Sequence, residues 1–281
     1  MKTVNTIQEV REIVRAWRTE GQTVGFVPTM GYLHEGHQSL IHRAVKENDR
    51  VVVSIFINPM QFGKKEDFGC YPKDLEQDKE ACALAGADIL FYPSQEEMYP
   101  DGFCSYVDMD GLTNILCGES RPAHFRGVCT VVIKLVNIVR ADRAYFGQKD
   151  AQQVAVIKRM VSDLNIDIEI VDCETVREPD GLAKSSRNVY LNQEERRASI
   201  ILQEALQLGK QKILDGERTP ASIMKTIRDK ICTEDLAILD YAEMVDLDTL
   251  KPIKKINSSV LVAAAVYIGK TRLIDNFIYK I

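Results

Sequence analysis

The sequence has no internal repeat and no low-complexity tract, so neither a solenoid nor a disordered chain accounts for it. Long apolar runs are also missing. The longest, Val260 to Ile268, falls well short of the roughly 20 residues that a membrane-spanning helix needs. The opening MKTVNTIQEVREIVRAW is charged and lacks the apolar centre of a secretory signal, so a soluble, cytoplasmic protein without a membrane partner is expected. Positive charge is not in excess: 36 Lys and Arg against 41 Asp and Glu leave a net charge of −5, which argues against a nucleic-acid partner. A local basic cluster meeting an anionic substrate remains compatible with that balance. There is no Cys-x-x-Cys pair among Cys70, Cys82, Cys104, Cys117, Cys129, Cys173 and Cys232, which removes the usual metal and redox motifs. An odd, scattered set reads as reduced, mostly buried thiols.

What is present is ordinary globular material, 45% apolar and 27% charged. A chain of 281 residues is long enough for two domains, or for one large α/β domain with an appendage. Val10, Ile13, Val14 and Trp17 recur at helical spacing and predict a helix over 4–21. Strands are predicted at 23–28, 50–57, 88–92, 144–146 and 167–171, with helices over 37–48, 74–85 and 152–164; the apolar stretch 130–139 suits either element. This alternation predicts βαβ units and a Rossmann-like parallel sheet covered on both faces. Beyond a polar stretch at 175–192, a long helix over 193–214 stops at Gly216, a second covers 221–232, and strand-like runs follow at 240–245, 259–268 and 270–281. The fold class is therefore α/β, with a Rossmann-like domain at 1–175 and a smaller C-terminal α+β domain at 176–281 that covers the site.

Ligands of open parallel sheets gather at the carboxyl ends of the strands. Here three strands are followed by the three most unusual segments of the chain. Thr29-Met30-Gly31-Tyr32-Leu33-His34-Glu35-Gly36-His37 comes first, at a strand-to-helix turn. Two histidines three apart at a helix start project from one side, where unpaired N–H groups favour anions, and Gly36 would let a ligand approach the backbone. Zinc is the rival reading, but the metalloprotease pattern sets two histidines four apart, which is absent. His42 carries no motif and reads as a solvated helix residue. The second segment is Phe56-Ile57-Asn58-Pro59-Met60-Gln61-Phe62, whose bland reading is a turn at Asn-Pro. The third is Tyr145-Phe146-Gly147-Gln148-Lys149-Asp150-Ala151-Gln152-Gln153. Lys184-Ser185-Ser186-Arg187-Asn188 adds hydroxyls and a guanidinium suited to phosphate oxygens. Gly63 and Gly69 lie within a stretch, 62–71, that reads as a mobile flap.

The His-x-Gly-His segment resembles the nucleotidyltransferase superfamily, which includes class I aminoacyl-tRNA synthetases. Its surroundings, VPTMGYLHEGHQSLI, together with FINPMQF, RPAHFRGV, YFGQKDAQQ and KSSRN in that order, resemble the pantothenate synthetase (pantoate–β-alanine ligase) family across the first domain and into the second. The resemblance implies an ATP-dependent ligase that makes pantothenate, AMP and pyrophosphate through a pantoyl adenylate. It implies that His34, His37, Lys149, Ser185, Ser186 and Arg187 act on the triphosphate. ATP would also meet Met30, Gly147, Asp150, Val176 and Lys184, and pantoate would meet Pro28, Met30, Asn58, Gln61 and Gln153. Mg²⁺ would be bound mainly through ATP, and the family implies a homodimer. The family often has glutamate where Gln148 stands, and methionine where Lys184 stands, so Gln148 receives no role and Lys184 faces either phosphate or solvent. An adenylyltransferase and a non-catalytic nucleotide-binding module are the rival functions. The former shares the first motif but has no need of the glutamines.

Overall fold

The structure, a computed structural model, describes residues 1–63 and 66–281. The chain divides into two compact units that interleave along the sequence: Met1–Asp110, Arg121–Gln148 and Val156–Glu174 form one, and Gly111–Ser120, Lys149–Ala155 and Thr175–Ile281 form the other.

The first unit is built on a six-stranded sheet of β1 (Lys2–Val4), β2 (Val24–Thr29), β3 (Arg50–Ile55), β4 (Ile89–Phe91), β5 (Arg143–Gly147) and β6 (Glu169–Cys173). All pairings are parallel, in the order β1-β4-β3-β2-β5-β6. β3 and β4 are almost wholly buried, which is why they read as continuous apolar runs without alternation. Helices α1 (Ile7–Thr19), α2 (Glu35–Glu47), α3 (Leu75–Leu84) and the short α4 (Gln95–Met98) fall between the first five strands. Val27, Ile41, Ala44, Val53, Cys82, Leu90 and Tyr145 form part of one core cluster.

The helix predicted over 4–21 begins later than expected. Val4 belongs to β1, and Thr6 caps α1 through a reciprocal box with Glu9. The ambiguous stretch at 130–139 lies within α6 (His124–Val139), which follows α5 (Cys117–Ser120).

β2 is the strand that turns the sheet around. It pairs with β3 along its whole length, but with β5 only at Gly25 and Phe26. Chain order runs outward through β3 and β4 on one side and through β5 and β6 on the other, so the β2/β5 junction is the topological switch point. Pro28 sits beyond the β5 pairing, where its missing N–H leaves no ladder bond broken.

The second unit carries an antiparallel sheet, β7 (Ala237–Asp246), β8 (Val260–Ile268) and β9 (Thr271–Tyr279), in that order. α7 (Ala151–Asp163) precedes β6 in the chain, and α8 (Gln193–Ala198), α9 (Ile201–Leu214) and α10 (Pro220–Ile231) precede β7. Leu202, Leu206, Ile213, Ile223 and Ile227 from the helices share a core with Val260, Val262, Ala264 and Val266 of β8. The single helix predicted over 193–214 is two helices. The fully buried Ser199 turns its hydroxyl back to donate to the Arg196 carbonyl (2.7 Å), and the chain makes a turn before Ile201. Among the described residues no helix is long and apolar enough to cross a membrane. Of the seven cysteines, all unpaired by disulfides, Cys82, Cys117, Cys129 and Cys173 are buried.

Candidate active site

In the first unit the expected residues collect at the carboxyl edge of the sheet. Pro28 and Met30 end and follow β2, Asn58 and Gln61 follow β3, and Gly147 ends β5. His34 is the N-cap of α2 and His37 its third residue, and the two form a capping box from imidazoles. The Gly36 N–H donates to His34 Nδ1 (3.1 Å), and the His34 N–H donates to His37 Nδ1 (3.3 Å). A neutral imidazole whose Nδ1 accepts carries its proton on Nε2. Both rings, 4.1 Å apart between centroids, are thus set as Nε2–H donors at a helix N-terminus.

A Cβ at Gly36 would lie 2.8 Å from His34 Cε1 and 2.9 Å from its Nδ1, so the missing side chain makes room for the His34 ring. His42, on the same helix, is exposed as expected.

After β3, Asn58 caps the short 3-10 helix Pro59–Gln61, which is the turn that Asn-Pro suggested. Asn58 is 1% exposed and Gln61 9%. The Tyr99 hydroxyl donates to Asn58 Oδ1 (2.8 Å), and Asn58 Nδ2 donates to Gln61 Oε1 (3.1 Å) and to the Gly127 carbonyl (3.0 Å). This chain of bonds fixes the sense of both amides. With its oxygen occupied, Gln61 turns its Nε2 to donate to Met30 Sδ, 2.9 Å away. Burial pushes the Tyr99 hydroxyl well above its ordinary value, so it stays a protonated donor. Lys134 rests against Phe103 (4.8 Å) and Tyr99 (5.6 Å), and burial lowers its pKa. Tyr99 belongs to no motif, and a lone tyrosine after a short helix gives the sequence no signal of this contact.

The RPAHFRG stretch backs the same segment. Arg121 forks onto Glu66 (2.8 and 2.5 Å), and His124 Nδ1 lies 3.0 Å from the Gln61 carbonyl. Burial raises the Glu66 carboxyl, but the Arg121 hydrogen bond and charge, with the Gly63 backbone, outweigh it and hold the carboxyl below its ordinary value. Of the expected flap, Lys64 and Lys65 lie outside the described residues. Asp67–Cys70 form a 3-10 turn, and Phe62 packs on Phe68 and Tyr71.

The second unit holds Lys149, Asp150, Gln153, Val176, Lys184, Ser185, Ser186 and Arg187. Val176 and Lys184 close a hairpin-like loop, with the Lys184 N–H donating to the Val176 carbonyl (3.0 Å) and Arg177 bridging Ala183. Ser185 then caps the 3-10 helix Ser186–Tyr190 by accepting the Arg187 N–H. Lys184 pairs with Glu178 at 3.1 Å. β9 anchors the segments carrying Arg177 and Lys149 by adjacent residues. Asp275 grips Arg177 through two bonds (2.6 and 2.9 Å), and Asn276 Nδ2 donates to the Lys149 carbonyl (2.9 Å). Of the paired glutamines, Gln152 is structural: it accepts from the Cys117 N–H and donates to the Leu112 and Ile115 carbonyls. Gln153 is half-buried in the first turn of α7.

Known proteins match this architecture end to end. A family model described as pantoate-beta-alanine ligase matches residues 2–278. The pantothenate synthetase of Clostridioides difficile strain 630 is 56% identical over 278 residues, covering 99% of each chain. A crystal structure of pantothenate synthetase from Thermus thermophilus superposes with a TM-score of 0.94 at 44% identity, covering 99% of each chain. The ligase of Francisella tularensis, solved with "Beta-gamma ATP and Beta-alanine", gives 0.80 at 38% identity, covering 99% of this chain and 97% of that one. With a family model spanning nearly its full length and a relative more than half identical, the chain belongs to the pantoate–β-alanine ligase family.

Proposed function

We propose that this chain condenses (R)-pantoate with β-alanine at the expense of ATP, giving pantothenate, AMP and pyrophosphate. A carboxylate oxygen is a poor leaving group, so the acid must first be activated. A pantoate carboxylate oxygen attacks the α-phosphorus, and the bond to pyrophosphate breaks. The β-alanine amine then adds to the acyl carbon of the mixed anhydride, loses a proton, and expels AMP. The protein's share is positioning and charge stabilisation. His34 and His37 donate from Nε2 to phosphate oxygens, and Lys149, Ser185, Ser186 and Arg187 neutralise the triphosphate. Met30, Gly147, Asp150, Val176 and Lys184 line the nucleotide. Pro28, Met30, Asn58, Gln61 and Gln153 receive pantoate.

The observation that carries the reading is the imidazole capping box, which sets two ring Nε2–H groups as donors at a helix N-terminus beside the switch point. Donors of that kind fit oxyanions and not metal, and among the described residues no group of three His, Cys, Asp or Glu side chains is arranged to hold a metal ion. Mg²⁺ would be held mainly through ATP itself, where it would neutralise phosphate charge. A cytoplasmic homodimer completes the proposal.

Pantoate-dependent exchange of labelled pyrophosphate into ATP tests it. Exchange that requires pantoate supports the ligase. Exchange without pantoate points to a different adenylyl transfer, and no exchange in folded protein refutes both.

A further inference from the structure

The turn that delivers His34 to its helix is held by a group outside every motif. Asp78 lies in α3, is 2% exposed, and places one carboxylate oxygen on each of two consecutive backbone amides. The Tyr32 N–H donates to Oδ2 (2.9 Å) and the Leu33 N–H to Oδ1 (2.6 Å). Those amides point the same way because Gly31 and Tyr32 both take left-handed conformations, with φ of 85° and 51°. Glycine does so readily, but a tyrosine occupies that region only where its surroundings hold it there. Successive amides in such a bend form a concavity that suits an anion. Asp78 fills it from within the protein.

Burial pushes the Asp78 carboxyl above its ordinary value, and the two amides only partly reverse the effect. In sequence the signal is an acid inside the apolar stripe of α3, three residues after Leu75 and three before Ala81.

Leu33 is fastened at both ends. Its amide binds Asp78, and its side chain, 3% exposed, is part of the core cluster with Ile41 and Cys82. The next residue is His34, whose backbone begins α2 and whose ring closes the capping box. The backbone that precedes both donor imidazoles is therefore set by the position of one buried carboxylate. We infer that Asp78 is a positioning residue for adenylate formation: through the Tyr32 and Leu33 amides it aims the Nε2–H groups of His34 and His37. This rests on the reading of those histidines as phosphate donors.

A double-mutant cycle separates aiming from general support. Asp78→Asn keeps one acceptor oxygen and sets an NH₂ against the other amide. In the full-length enzyme it is expected to slow pantoate-dependent pyrophosphate exchange by roughly 10- to 100-fold, the effect of misplacing catalytic groups by about 1 Å, with the KM for pantoate changed less than about 3-fold. In a background lacking both imidazoles, His34→Ala with His37→Ala, the same substitution is expected to cost less than about 3-fold, because the groups it aims are already gone. Losses that multiply in the combined variant overturn the proposal, as does normal exchange in Asp78→Asn beside impaired His37→Ala. Normal exchange in His37→Ala sinks the phosphate-donor reading, and this proposal with it. If Asp78→Asn does not fold, Gly31→Ala runs the cycle from the loop side, since its Cβ would sit 2.9 Å from the same Oδ2. Hydrogen exchange in the wild-type enzyme adds a check that needs no variant: rapid exchange of the Tyr32 and Leu33 amides overturns the proposal, and protection equal to that of β2 supports it.

Discussion

Gly127 sits in the first turns of α6, where replacing glycine by alanine would ordinarily help. The helix would gain up to about 1 kcal/mol from the change. The structure reverses that sign. A Cβ built at Gly127 falls 2.5 Å from the Gln61 nitrogen and nearer still to the Met60 carbonyl, both of them backbone atoms that no side-chain rotation can clear. The 3-10 helix Pro59–Gln61 must withdraw by about 0.7 Å for the nearest of these atoms, the Met60 carbonyl oxygen, to reach 3.0 Å, and by about 1.1 Å for ordinary contact. Overpacking of this kind costs about 1–3 kcal/mol, which equals or exceeds the helix gain. The thermal midpoint should therefore fall by no more than a few degrees.

Function should suffer more than stability. The withdrawn segment carries Gln61, and the Gly127 carbonyl is an acceptor for Asn58, so both amides proposed to receive pantoate move together. A displacement approaching 1 Å is worth up to about 100-fold in rate. In Gly127→Ala the pantoate KM in the pyrophosphate-exchange assay should rise at least about 10-fold and kcat should fall, while the protein remains folded by circular dichroism. A folded Gly127→Ala enzyme with wild-type pantoate kinetics would refute both the packing argument and the placing of pantoate beside this segment.

Three further outcomes follow from single contacts. Tyr99→Phe removes the donor to Asn58 Oδ1, and at about 0.5–1.5 kcal/mol for one hydrogen bond the specificity constant for pantoate should drop roughly 2- to 12-fold without loss of fold; an unchanged constant excludes the relay to Gln61. Asp275→Ala strips a partly buried Arg177 (side chain 29% exposed) of its partner, which should cost about 2–3 kcal/mol in urea unfolding and weaken ATP binding; a change under about 0.5 kcal/mol would show that the pair anchors nothing. The Glu66 carboxyl is held below its ordinary 4.5, so its contribution is complete above that pH and lost as pH falls through the lowered folded value. The difference in melting temperature between wild type and Glu66→Gln should accordingly be flat from pH 7 to 5 and shrink below about 4.5, and a difference that grows on acidification would contradict the assignment.

Strands and helices were legible wherever one residue decides one local choice. The β-branched run 50–55, the Asp74 cap of α3 and the apolar spacing of α2 all name their own elements. β1 was not legible because three residues carry too little pattern, and Val4 also falls near helical spacing with Val10 and Val14. The break at Ser199 was hidden because the apolar periodicity runs straight through it, and only the direction of one hydroxyl interrupts the helix.

The candidate site divides along the same line. Residues that would touch a ligand stand in short segments, three of them at or just after strands, and these can be read in order. The residues behind them cannot. Tyr99 reaches Asn58 across 41 positions, and Gly127 gives up its side chain to backbone more than 60 positions away. Gly36 marks the limit most clearly, because the same missing Cβ would serve a ligand or a neighbouring ring equally well. Only the folded structure shows that the neighbour is His34. That distinction bears on chemistry. A glycine that admits a ligand could be replaced at a cost in binding alone, whereas one that leaves its Cβ space to the His34 ring is part of how the Nε2–H is aimed. The His-x-Gly-His spacing is thus as much a packing rule as a catalytic one, and its glycine and its first histidine form one unit.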